Sequence, residues 1–291
     1  DLDLTNDLWT NERKRIDFER AVGGIFPKIA PFSVRETKAS AGIELPEKVI
    51  ENVPVVLAPR QREIYDEIAR SLRTEVVVGG QLVEDDAESI LKRLLRLVQV
   101  ASNPRLIDES YEEEPGKLAV LKRLLANATQ EEGGKAIVWT NFIENADWLE
   151  RQLTSHSPVK VHGKVEMDDR NAAIARFKSD PACRILIATP GSAKEGLTLT
   201  VANHAVFYDR GFSLDDYLQA QDRIHRISQQ RACFVWNLVG ESTVDEWVDA
   251  LLGAKRLAAQ LVQADVDQQT YEAMADYDFG RIIQQVLGGQ H

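Results

Sequence analysis

The sequence predicts an α/β domain built on a mostly parallel sheet with helices on both faces, preceded by a mainly helical region over residues 1–115. Three observations carry this. After Gly116, short apolar runs alternate with stretches of helical periodicity, the pattern of βαβ units. Before it, apolar residues recur mainly at helical spacing. Between the two lies the acidic stretch DESYEEEPG (108–116), which reads as a boundary.

The elements follow in order. Pro27, Pro31, Pro46, Pro54 and Pro59 break the start of the chain into short or extended pieces. Ile64, Tyr65, Ile68 and Leu72 mark a helix over 61–72, and Ile90, Leu91, Leu94, Leu95 and Val98 mark another over 87–101. EVVVGGQLVEDD (75–86) carries a Gly-Gly turn between short apolar runs and fits either a small hairpin or a solvated loop. Residues 117–126 are helical, AIVW (136–139) is a strand, and Ile143, Ala146, Trp148 and Leu149 place the next helix. VKVHG (159–163), a helix over 168–178, RILIAT (184–189), HAVFYD (204–209) and ACFVWNLV (232–239) continue the alternation. From Thr243 the chain is helical again to about Gln263. Three regions are expected: 1–115, 116–250 and a helical extension at 251–291.

Composition narrows the function. An apolar content of 44% is ordinary for a globular protein. No apolar run reaches the roughly 18 residues of a membrane span, so no membrane partner is expected. Cys183 and Cys233 lie in or beside apolar runs with no second Cys or His at ligand spacing, which argues for buried free thiols and no metal site. The chain opens on Asp1 and reads as a fragment or a processed product. A net charge of −11 argues against indiscriminate nucleic-acid binding, yet residues 160–231 are slightly basic and leave room for a local basic track.

The most informative segment is QAQDRIHRISQ (219–229). On one helix, Gln219, Arg223 and Arg226 would project within an arc of roughly 60°. Tyr217, Ala220, Ile224 and Ile227 would lie on the core side. Ser213, followed by Asp216, fits a helix start. From spacing alone, two arginines on a helical face usually mark a solvated surface. Here they follow a loop at the carboxyl end of an apolar strand, where open α/β sheets bind ligands. Fixed guanidiniums beside an amide suit a phosphate-rich partner.

The ordered set of motifs resembles the second motor lobe of a SNF2-family translocase, within helicase superfamily 2. KAIVWTNF (135–142) is similar to motif IV, and VHG (161–163) to the strand and glycine after it. ATPGSAKEGLTLTVANHAVFYD (188–209) is similar to motif V, and QAQDRIHRISQ to motif VI. PFSVRETKASAGIELPEK (31–48), VQVASNPRLI (98–107) and EPGKLAVLKRLL (114–125) resemble the blocks that precede motif IV. The likeness runs from Pro31 to about Val248. Three positions depart from the family pattern: Ala193-Lys194 where a Gly-Gly pair is common, Ser228 in a glycine position, and Glu36 where a second arginine is common.

The resemblance implies a RecA-like lobe. Arg226 and Arg223 would act as arginine fingers on ATP held with Mg²⁺ by a separate first lobe, and Gln219 would orient the site. Gly196 and Glu195 would sit at the lobe interface. Double-stranded DNA would be held through its backbone by Thr140, Asn141, Thr189 and Lys194. The sequence has no G-x-x-x-x-G-K-[ST] cradle, since Gly133-Gly134-Lys135-Ala136 lacks the leading glycine and the hydroxyl. The chain is therefore expected to hydrolyse no ATP alone. Short loops and the lack of basic tails point to a compact bacterial or archaeal member, cytoplasmic and nucleoid-associated on DNA. A non-catalytic interaction scaffold and an RNA-directed superfamily 2 lobe stay open as alternatives.

Overall fold

The computed structural model describes residues 24–25, 28, 30–32, 42, 44–78, 81–82, 87–130, 134–194 and 197–263. The chain divides into two compact units, Glu44–Glu246 and a second one formed by Asp1–Ile43 with Trp247–His291. In the second, the described structure is the turn Ala30–Phe32 and most of the last helix. The larger unit holds the sheet.

Among the described residues, fifteen α-helices and strands follow one another. They are β1 (Lys48–Val55), α1 (Pro59–Val76), β2 (Val77–Val78), β3 (Gln81–Leu82), α2 (Ala87–Ser102), α3 (Gly116–Ala128), β4 (Ala136–Trp139) and α4 (Ile143–Gln152), then β5 (Val159–Val161), α5 (Met167–Ser179), β6 (Ile185–Ala188), β7 (His204–Phe207), α6 (Leu214–Gln221), β8 (Cys233–Gly240) and α7 (Val244–Val262). Six strands form one sheet in the order β1-β8-β7-β4-β6-β5, every neighbouring pair parallel. This is the RecA-like architecture expected from the sequence. β4, β6 and β7 are buried at every position, as continuous apolar strands covered on both faces must be. One face packs Ile137, Trp139, Phe207 and Val235 against Phe177 and Ile224, and the other packs Val138, Ile187 and Val206 against Leu118, Leu121 and Leu149. Within the glycine-containing stretch at 75–86, Val77–Val78 pairs antiparallel with Gln81–Leu82 as β2 and β3.

The boundary expected near Gly116 is not where the chain divides. β1 belongs to the main sheet, with Lys48 opposite Cys233 and Val55 opposite Gly240. Residues 44–115 are thus built into the same unit as the later strands. Gln61 of α1 is fully buried; its Nε2 donates to the Val100 carbonyl at 2.7 Å, and its Oε1 accepts from Gly116 N at 3.0 Å. Gly116 lets α3 begin hard against the chain after β1, because a Cβ there would overlap the Val56 carbonyl oxygen. A buried ion pair joins α3 to the start of α7: Lys117 Nζ lies 2.6 Å from Asp245 Oδ2, which also accepts from Gly240 N at 2.9 Å. Removing one partner strands the other charge. Asp245→Ala should therefore cost about 3–5 kcal/mol, read by denaturant melting.

Candidate functional site

Two polar clusters form at opposite ends of the sheet. The first is the segment carrying Arg223 and Arg226. Ser213 caps α6 as expected, its Oγ accepting from Asp216 N at 3.2 Å. The helix then stops at Gln221, so Arg223 and Arg226 lie beyond it in a series of turns. The expectation of one helical face shared with Gln219 is corrected here. The reason is competition for backbone carbonyls. Asp222 O accepts from Arg226 Nε at 3.1 Å, Arg223 O from Leu199 N at 3.0 Å, and Ile224 O from Gln229 Nε2 at 3.0 Å. Those oxygens would otherwise extend the helix.

The helix also carries the chain back from the carboxyl to the amino ends of the strands. The turn is bonded to Leu199, and Gln229 Nε2 donates to Ala202 O at 2.9 Å, just ahead of β7. Arg231 Nη2 donates to Val201 O at 2.7 Å. The arginines therefore do not line the carboxyl-end crevice that the sequence suggested. Gln219 stays exposed on α6.

Arg223 is only 4% exposed, and its Nη1 donates to Leu197 O at 3.3 Å. Its Nε is buried with no hydrogen-bond partner. Arg226 Nη1 donates to Thr198 Oγ1 at 3.1 Å. Burial, with the neighbouring Arg226 charge adding to it, lowers the Arg223 pKa below the ordinary guanidinium value, against a smaller opposing effect of Asp222. Two like charges, a burial cost and an orphaned donor make a cluster that an added anion would relieve. Ser228 carries no strain in its glycine position, since the positive-φ non-glycine residues among those described are Ser157 and Ser242. Its Oγ instead lies 2.8 Å from Thr200 Oγ1, joining the two loops.

The second cluster is at the carboxyl ends of β4 and β7. Asp209, 1% exposed, gathers five donors. Ser102 Oγ, Thr140 Oγ1 and Asn145 Nδ2 reach its Oδ2 at 2.8, 2.6 and 3.3 Å. Asn141 N and Nδ2 reach its Oδ1 at 2.6 and 3.0 Å. Asn103 Nδ2 adds a bond to Asn145 Oδ1 at 3.1 Å. Thr140 is thus buried and Asn141, though exposed, has its amide donors turned onto Asp209, so neither aims a side-chain donor at solvent. Thr189, 9% exposed, follows β6 nearby, its carbonyl accepting from Ser192 N and Oγ at 3.0 and 2.7 Å. Lys194 closes the turn Pro190–Lys194, its side chain lying outside the described residues, as Glu195 and Gly196 do entirely.

Sequence reasoning missed Asp209, Asn145, Ser102 and Gln229. A carboxylate ending the mostly apolar run HAVFYD was the available signal for the first. Trp139 lies in the core, stacked on Phe207 at 6.3 Å, as its apolar setting indicated. Among the described residues no group of three or more His, Cys, Asp or Glu could hold a metal ion, and no helix is long and apolar enough to cross a membrane.

The chain is similar in sequence and fold to known proteins. The model for the helicase conserved C-terminal domain matches residues 116–228. The chain is 27% identical over 259 residues to the putative ATP-dependent helicase/translocase YwqA of Bacillus subtilis, covering 85% of this chain and 28% of that one. It is 25% identical over 281 residues to the human SWI/SNF-related matrix-associated actin-dependent regulator of chromatin subfamily A member 1, covering 91% and 27%. It therefore spans under a third of the length of either relative. Among solved structures, the Sulfolobus solfataricus SWI2/SNF2 ATPase core in complex with dsDNA is similar at a TM-score of 0.64 and 26% identity, covering 90% of this chain and 55% of that one. The C-terminal domain of the S. solfataricus SWI2/SNF2 ATPase gives 0.60 at 20% identity, covering 84% and 100%.

Proposed function

We propose that this chain, which belongs to the SNF2 family as its helicase C-terminal lobe, is one half of an ATP-dependent double-stranded DNA translocase. Arg226 and Arg223 meet ATP that a separate first lobe holds together with Mg²⁺. The observation that carries this is the Arg223–Arg226 turn, with two like charges and a buried, unpartnered Nε. Phosphoryl transfer spreads negative charge over equatorial oxygens, and a fixed guanidinium stabilises it without reorganising. A scaffold would gain nothing from keeping such a turn. Gln219, exposed on α6, orients the site from its edge, and Glu195 and Gly196 belong to the lobe interface. Mg²⁺ supplies charge neutralisation of the phosphates when bound and draws its protein ligands from the first lobe.

At the other end of the sheet, Asp209 shapes the β4–α4 loop, while Thr189 and Lys194 are the side chains we assign to the DNA backbone. Such contacts hold phosphate without reading sequence, in keeping with a motor that acts on any duplex. Lys194→Ala should weaken duplex binding and reduce the slope of log affinity against log salt by roughly 0.9. An unchanged slope would remove Lys194 from the interface. The overall reading is tested by ATPase assay of this chain alone and joined to its first lobe, with and without duplex DNA. No hydrolysis alone and DNA-stimulated hydrolysis when joined are expected. Hydrolysis by the isolated chain at the joined rate would overturn it. The working place of such a motor is the DNA of a bacterial or archaeal cytoplasm.

A further inference from the structure

The turn with the two arginines has three anchors of different kinds. Ile224 is fully buried in the core. Gln229 is buried and saturated: its Nε2 donates to Thr200, Ala202 and Ile224 carbonyls, and its Oε1 accepts from Gln230 N and Arg231 N. These two tie the turn to its own lobe. The third leads to the segment by which the chain enters this unit. His225, between the two arginines, places Nε2 2.8 Å from the carbonyl oxygen of Pro46. A carbonyl only accepts, so Nε2 carries the proton and donates. Two residues on, Lys48 Nζ donates to Oε1 of the buried Gln221 at 3.3 Å, and Glu47 O accepts from Cys233 N at 2.8 Å.

Residues 44–48 are where the chain enters the larger unit and leads into β1. In a motor whose first lobe precedes this one, relative movement of the lobes is transmitted covalently through that stretch. It is hydrogen-bonded to the turn that presents the arginines, through the side chain that lies between them.

We propose that His225 is a positioning residue that couples the lead-in segment 44–48 to the Arg223–Arg226 turn, so that the lobe connection and the placement of the arginines move as one. The inference rests on the arginine assignment made above. His225 touches no nucleotide. It acts by holding the backbone from which Arg226 projects, and displacement of such a backbone by about 1 Å can cost on the order of 100-fold in rate.

The test uses the protein with its first lobe in place, in steady-state DNA-stimulated ATPase, with a melting temperature for each variant. His225→Phe keeps the ring volume and removes the donor, whereas His225→Gln returns a donor nitrogen at similar reach. His225→Phe should lower kcat by about 10- to 100-fold, leave KM for ATP within about twofold and leave the melting temperature near wild type. His225→Gln should recover at least half of the rate. Lys48→Met, which cuts the second tie, should deepen the His225→Phe defect. The coupling is overturned if His225→Phe retains kcat within about twofold, if His225→Gln falls as far as His225→Phe, if the change is confined to KM, or if loss of rate tracks loss of melting temperature. Arg226→Ala in the same series separates the two claims. If that variant is active, the arginine assignment fails; if it is inactive while His225→Phe runs at full rate, only the coupling fails.

Discussion

Arg226→Ala, in the protein joined to its first lobe, should lower kcat for DNA-stimulated ATP hydrolysis by a factor of about 10³ or more. KM for ATP should move far less, because the contact matters most where charge has developed on the transferring phosphoryl group. The setting of Arg226 suits this proposed role. Arg226 is held by its own Nε on Asp222 O and by Nη1 on Thr198 Oγ1, so its head is oriented before any nucleotide arrives. Lysine should not restore the rate, since an ammonium cannot hold the Asp222 and Thr198 bonds from one planar fork. Thr198→Val should give a milder defect by loosening that fork. Steady-state kcat and KM for these variants check the set, and near-wild-type turnover by Arg226→Ala would sink the assignment.

Asp209→Ala should be strongly destabilising, on the same scale as Asp245→Ala. It removes one acceptor group and leaves donors on the buried Ser102, Thr140 and Asn145 and on Asn141 facing each other. An unsatisfied buried donor costs about 1–3 kcal/mol, and some of these can relax toward solvent because Asn141 is exposed. A net loss on the order of 4 kcal/mol follows, or a fall in melting temperature of roughly 10 °C for a unit of this size. Asp209→Asn should lose less, since the carboxamide oxygen still accepts while its amide meets donors. Thr140→Ser should be nearly silent and Thr140→Val should not, because only the hydroxyl is used. Thermal melting distinguishes these, and a silent Asp209→Ala would show that the loop reaches water easily.

What could be read in the sequence was what depends on neighbours in the chain. The apolar β4 and β6, and the apolar run after His204 in β7, declared themselves by composition, and α1 to α5 by apolar spacing within each segment. The misses share a cause. KVIENVPV forms β1 only because its partner β8 arrives at the far end of the unit, so its own residues, one of them proline, read only as short or extended pieces. The α6 helix looked longer than it is because Leu199 and Gln229, not the local sequence, decide where its carbonyls go. Thr140 and Asn141 looked like surface donors after a strand. Asp209 claims them from 69 and 68 positions away, and no spacing rule sees that.

The pairing of β1 with β8 has a consequence for biosynthesis. As the chain leaves the ribosome, β1 has been made but its partner, starting at Cys233, has not. At about 5–20 residues per second this strand waits on the order of ten seconds or more for its neighbour. During that interval it is an unpaired edge, open to the same strand of another nascent copy. Glu51, Asn52 and Pro54, all exposed in the finished sheet, are the residues that make such mispairing unfavourable. They act before the lobe exists, and replacing Glu51 and Pro54 with Val or Ile should lower soluble yield while leaving the folded lobe as stable as before.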